Sequence, residues 1–192
     1  LQGARGTGHA NLDPAHYNGW YTMHSYLNYL GYHVPSYALS VVTGFLGKDP
    51  GDVVIDGGRY LNIPGARFPG GLVKDIHIPI DRNGRMIINW TCPWLEGFKH
   101  IDPRWLIREI SPIEERALYA LTADSIVLII DATTKGKDFL SSPFSLIAPS
   151  GIVQAHMINS ILNEDFLTFP SIPVTIIFYC ILFLIILFTT LK

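Results

Sequence analysis

The strongest pattern of hydrophobic positions lies at the C-terminal end of the chain. From Ile172 to Leu191 the sequence reads IPVTIIFYCILFLIILFTTL, and no charged residue occurs between Asp165 and Lys192. About 20 apolar residues at a rise of 1.5 Å cover the roughly 30 Å hydrocarbon layer of a bilayer. Helices in soluble cores seldom run so far without a polar face, so residues 173–191 are predicted to form a transmembrane helix. Pro170 and Pro173 bracket its entry, residues 170–173 form a proline linker, and Pro173 falls in the first turn, where a missing N–H costs nothing.

Upstream the pattern is shorter in period and more varied. Tyr37 to Phe45 carries an apolar stripe and stops near Gly47, which predicts a helix. Val53–Asp56 and Arg59–Ile63 are β-prone runs separated by Gly57-Gly58 and read as a hairpin. Asp75–Ile80 and Arg85–Trp90 read as a second hairpin, closed by Asp81-Arg82-Asn83-Gly84. Ser111-Pro112-Ile113-Glu114 is a capping box with Pro at the first helical position, so a helix should run from there to about Thr122. Ser125–Ile130, bounded by Asp124 and Asp131, is a continuous apolar run that suits a central strand covered on both faces. Residues 131–150 read as a loop, and Ile152–Asn163 as an amphipathic helix. This succession predicts an α/β fold with a mixed, largely parallel sheet covered by helices, followed by the membrane helix.

At 192 residues the chain holds one domain, residues 1–169, and a short appendage. The hydrophobic fraction of 48% is raised by the C-terminal run. A net charge of −2, with Lys and Arg scattered, excludes the basic stripe of a nucleic-acid-binding protein. Cys92, beside Pro93, and Cys180, in the apolar run, are a poor pair for a disulfide and too few for a cysteine-based zinc site. No signal-peptide pattern follows Leu1, and the chain is expected to be cut from something larger.

Candidate chemistry is sparse. Gly3-Ala4-Arg5-Gly6-Thr7-Gly8 has neither a strand before it nor a Lys-Ser/Thr pair after it, so a phosphate loop is disfavoured. Seven histidines form no H-x-x-x-H pair, and neither a G-x-S-x-G elbow nor H-E-x-x-H occurs. The sequence therefore points to no catalytic residue, metal or cofactor. The best ligand candidates lie in the polar loop after the buried run, at Asp131, Thr133 and Asp138, because ligands of open α/β sheets collect at the carboxyl ends of strands. His156, on a helix face, is the fourth candidate, with structural packing as its alternative. Trp90, Trp94, Phe98 and Trp105 offer an aromatic cluster for packing, for binding or for the membrane interface.

Aligned in order, these segments resemble the second type of CHASE domain, a sensory module found outside the membrane in bacterial receptors. The resemblance is carried by Gly8-His9-Ala10-Asn11 with Asn18-Gly19, by Tyr37-Ala38-Leu39, and by Ile78-Pro79-Ile80-Asp81 with Gly84-Arg85-Met86 and Ile88-Asn89-Trp90. It continues through Val127–Thr133, Asp138 with Ser142-Pro143-Phe144, and Gly151–His156. Asn18, Asp131 and Gln154 depart from the family pattern, where Asp, Gly and an acid are usual.

The resemblance implies an α/β sensor domain in the periplasm or outside the cell, anchored in a bacterial inner or plasma membrane. Further membrane helices and a cyclase, histidine kinase or Ser/Thr kinase module would follow it, and the domain's first half would lie outside this chain. On that reading the chain is not itself an enzyme. Its partners would be the membrane, a second copy in a homodimer, and a small-molecule or environmental stimulus, with no nucleic acid. The competing expectation is a membrane-tethered α/β enzyme or periplasmic binding protein.

Overall fold

A buried residue at every second position, with one break in the central strand, marks the three-stranded sheet that faces the core. In the computed structural model of the chain, which describes residues 6–10, 12–13, 22–101, 111–131, 139–168 and 172–190, ten strands and five α-helices occur among those residues. The first four strands are β1 (Leu12–Asp13), β2 (Thr22–His24), β3 (Tyr26–Tyr29) and β4 (Tyr32–Pro35). Helix α1 (Tyr37–Phe45), a 3-10 turn (Pro50–Asp52), β5 (Val54–Asp56), β6 (Tyr60–Arg67), β7 (Val73–Pro79) and β8 (Arg85–Ile87) follow. The remainder comprises α2 (Trp94–Gly97), α3 (Pro112–Thr122), β9 (Phe139–Ser142), β10 (Ser145–Pro149), α4 (Gly151–Asn163) and α5 (Ile172–Thr190).

Strands β5, β6 and β7 form an antiparallel meander. Leu61 and Ile63 of β6 and Ile76 and Ile78 of β7 turn one face inward, as the period of two requires, and Ala66 rejoins that face three positions after Ile63 because the strand is irregular between them. A register shift between Ile63 and Ala66 is accommodated at Gly65, whose φ is +57° and whose N–H donates to Asp75 Oδ1 at 2.7 Å. Helices α1 and α4 pack together against this face. Met23, Val42, Leu46, Met86, Ile88, Val153, Met157 and Ile161 complete the core, each large apolar side chain contributing about 1.5–3 kcal/mol by burial.

Helix α1 starts where its sequence says it should. Ser36 Oγ accepts from Leu39 N–H at 3.1 Å, and Gly47, at φ +69°, lets Lys48 N–H reach back to Thr43 O at 2.8 Å. The capping box of α3 is also formed, with Ser111 Oγ accepting from Glu114 N–H and Glu114 Oε2 accepting from Ser111 N–H. Helix α4 begins at Gly151, one residue before the expected start, and Gly151 lies so close to Ile130 that a Cβ would come within 2.8 Å of that side chain.

Three expectations need correction. First, the sheet is not largely parallel: the strands lie in small sheets, β1-β2-β8, β3-β4, β5-β6-β7 and β9-β10, all antiparallel. The parallel reading depended on Ser125–Ile130 as a central strand, and that run pairs with no strand among the described residues. Second, the turn at Asp81–Gly84 exists, but its flanks part company, β7 pairing with β6 and β8 with β2. Pairing partners are chosen by burial across the whole chain, and turn chemistry constrains only the turn. Third, part of the expected 131–150 loop is the β9-β10 hairpin, whose connection is held by Ser145 N–H donating to Ser142 Oγ at 3.0 Å.

The C-terminal run is helical from Ile172 to Thr190. Over Pro173–Thr190 its mean hydropathy is 2.4 and none of it is buried against the rest of the chain. Of the proline linker, Pro170 and Ser171 lie outside the described residues.

Candidate functional site

Helix α4 is the most enclosed element, because Ile152, Val153, Met157, Ile158 and Ile161 bury one side and Gln154, Ala155, His156 and Ser160 are buried as well. Three polar side chains in such a helix must find partners or go without. Gln154 finds them: its Oε1 accepts from Ala38 N–H at 3.1 Å, satisfying a first-turn donor of α1, and its Nε2 donates to Met23 Sδ at 3.3 Å. It is a tie between α4, α1 and β2.

His156 and Ser160 do without. His156 is completely buried, and its ring meets Phe98 edge-on at 5.2 Å and Trp90 in a tilted contact at 5.0 Å. Neither ring nitrogen has a partner at hydrogen-bond geometry, and neither does Ser160 Oγ, one helical turn further on. Burial lowers the imidazole pKa to about 4, with the nearby Cys92 backbone acting more weakly in the opposite direction. The ring is therefore neutral at physiological pH. A group that protonates near pH 4 offers no general acid at neutral pH. Its neutral ring keeps one donor and one acceptor for a hydrogen-bonding neighbour.

Of the other sequence candidates, only Asp131 is among the described residues. Asp131 is exposed at the end of the Ser125–Ile130 run and makes no hydrogen bond or ion pair with His156. Thr133 and Asp138 lie outside the described residues. The Ser125–Ile130 run that leads into this loop belongs to no sheet among the described residues. The aromatic cluster divides: Trp90 and Phe98 pack on His156, Trp94 packs on His100 at 4.5 Å, and Trp105 is outside the described residues.

Several motif residues have structural work instead. Asp81 holds its turn by accepting from Asn83 N–H and Arg85 N–H through Oδ1 and pairing with Arg85 Nε at 2.8 Å through Oδ2. Gly84, at φ +74°, receives the ring of Tyr26 where a Cβ would sit at 2.9 Å. Gly8 lies so close to Ser36 and Tyr37 that a Cβ would meet their backbone at 2.6–2.7 Å, while its neighbour His9 accepts from Tyr37 N–H and donates to Pro35 O.

One partly open cavity of about 220 Å³ lies under the β3-β4 hairpin, with Leu39 and Leu61 among its walls and Tyr26 and His33 as its polar-tipped ones. A second hollow of about 460 Å³ runs along α5 between Ile176 and Leu184 and is walled by that helix alone. Among the described residues no group of three or more His, Cys, Asp or Glu is placed to hold a metal ion.

The model of the CHASE2 domain family matches residues 2–190. No curated protein and no solved structure matches the chain. With almost its whole length matched, the chain belongs to the CHASE2 domain family, which is a family of sensory extracellular domains in signalling proteins.

Proposed function

We propose, from membership in the CHASE2 family, that this chain is the extracytoplasmic sensory domain of a transmembrane receptor of a bacterial inner or plasma membrane, and not an enzyme. Residues 1–169 form the sensor on the periplasmic or outer side, α5 spans the bilayer, and a cyclase or kinase module outside this chain is the output. The observation that carries the reading is the coexistence of a family match over residues 2–190 with a wholly exposed apolar helix at its end. An exposed surface of that kind is unfavourable in water and favourable in lipid.

The stimulus reaches α5 through the short connection after α4. Pro170 in that connection and Pro173 in the first turn of α5 each fix φ near −65°, so the joint is stiffer than a Gly/Ser linker of equal length. A stimulus shifts the output only if it binds one state of the domain better than the other. Replacing residues 170–173 by Gly and Ser in the intact receptor should leave expression unchanged and weaken stimulated output several-fold. Full output from that variant contradicts coupling through this joint and favours rearrangement of a homodimer elsewhere.

A further inference from the structure

The cavity of about 220 Å³ under the β3-β4 hairpin reaches the core without being filled by it. Leu39 of α1 and Leu61 of β6 line it and are 3% and 1% exposed, while Ile55 of β5, which also lines it, is 39% exposed. The cavity therefore runs from the core to the surface. Tyr26 of β3 and His33 of β4 add two rings in edge contact, 5.4 Å between centroids. They bring a hydroxyl and an imidazole to a wall that is otherwise apolar. No Lys, Arg, Asp or Glu is among the described residues that line it.

That lining selects the chemistry of a guest. An ionised molecule would lose hydration and meet no fixed carboxylate, ammonium or guanidinium in return. A sugar would leave most of its hydroxyls unpaired against Leu39, Leu61 and Ile55. A flat aromatic molecule suits the apolar wall and can meet the Tyr26 and His33 rings edge-on or offset. A cavity of about 150 Å³ holds benzene, so this one has room for a substituted ring or two fused rings.

We propose that this cavity binds an uncharged aromatic molecule of one or two rings with a single hydrogen-bonding group, its ring against Leu39 and Leu61 and its polar group toward Tyr26 and His33. As the site of a stimulus it rests on the sensory reading above. Leu39 follows Ala38, whose N–H donates to Gln154 of α4 at 3.1 Å, and α4 precedes α5. A guest held against Leu39 thus presses on the element that leads to the membrane helix.

Methyl NMR of the full chain in lipid nanodiscs, with phenol as the probe, tests the site. Titration should shift the Leu39, Ile55 and Leu61 methyl resonances saturably, with half-saturation below about 10 mM for a molecule of this size. The Gln154 side-chain amide should shift with them. Benzoate, the same ring with a charge, should bind at least about tenfold more weakly. Ile55→Trp, which fills the cavity from a partly exposed position, should abolish the shifts of Leu39 and Leu61, and Ile55→Phe takes its place if the Trp variant does not fold. Ile147→Trp, at a 71% exposed position of β10 that does not line the cavity, should change nothing. Absence of saturable shifts, equal binding of benzoate, an unmoved Gln154 amide or an unchanged titration in the folded filling variant each overturns the proposal. None of these outcomes depends on whether α5 crosses a membrane, so the sensory reading stands or falls separately.

Discussion

Lowering the pH should destabilise this domain through one side chain. His156 is neutral and fully buried, with its pKa brought from 6.5 to about 4 by burial. In the unfolded chain the same ring takes up a proton as the pH falls through 6.5, so between 6.5 and 4 the unfolded state binds more protons than the folded one. Stability must then rise with pH across that window, being fully present above 6.5 and lost as pH falls toward 4. At 1.36 kcal/mol per pH unit, a depression of this size corresponds to about 3 kcal/mol. His9 is lowered too, first by burial and then by His24, and acts in the same direction. It is left in place, so its effect cancels in a comparison with His156→Leu. That variant keeps an apolar side chain against Trp90 and Phe98 and removes two nitrogens that have no partner, so at pH 7.5 its cost should stay below about 1.5 kcal/mol. Urea unfolding followed by tryptophan fluorescence at pH 7.5 and pH 4 should show a pH-dependent loss about 3 kcal/mol larger in the parent than in His156→Leu. An identical loss in both proteins would refute a neutral buried imidazole.

Two further substitutions probe how the motif residues act. Gly8→Ala places a Cβ at 2.6 Å from Tyr37 Cα and N, and overpacking against backbone should lower stability by about 1–3 kcal/mol, measured as a reduced urea midpoint with unchanged m-value. Gln154→Leu strips Ala38 N–H of its acceptor and should cost about 1–3 kcal/mol, with faster amide exchange at the first turn of α1; an unchanged rate there would show that Gln154 is not the tie described.

The features legible in the sequence are those written into a few consecutive residues. Ser36 and Gly47 bound α1, Ser111-Pro112-Ile113-Glu114 starts α3, and Asp81–Gly84 makes its turn, because caps and turns are settled by local backbone geometry. The apolar run from Ile172 was equally plain. Strand partners were not legible: nothing local to Arg85–Ile87 says that β2, some sixty residues earlier, is its neighbour. The β9-β10 hairpin escaped because Pro143-Phe144 carries none of the usual Asn-Gly turn signal. Ser125–Ile130 shows the opposite case, a pattern that matches an inner strand more closely than its surroundings do. At the site, His156 was legible as a candidate only by its helix position. Ser160 was not, since nothing in a lone Ser announces that it will be buried beside an unpartnered ring. Asp131 was chosen for its place after the Ser125–Ile130 run, which pairs with no strand among the described residues.

The central claim is that residues 1–169 stand outside the membrane that α5 crosses. With Cys92 and Cys180 replaced by Ser, an Arg82→Cys variant carries its single thiol on the exposed turn between β7 and β8. A membrane-impermeant maleimide applied to intact cells, after opening of any outer membrane, should label Cys at position 82 as fully as it does in permeabilised cells. Labelling that appears only after the inner membrane is permeabilised would contradict the account.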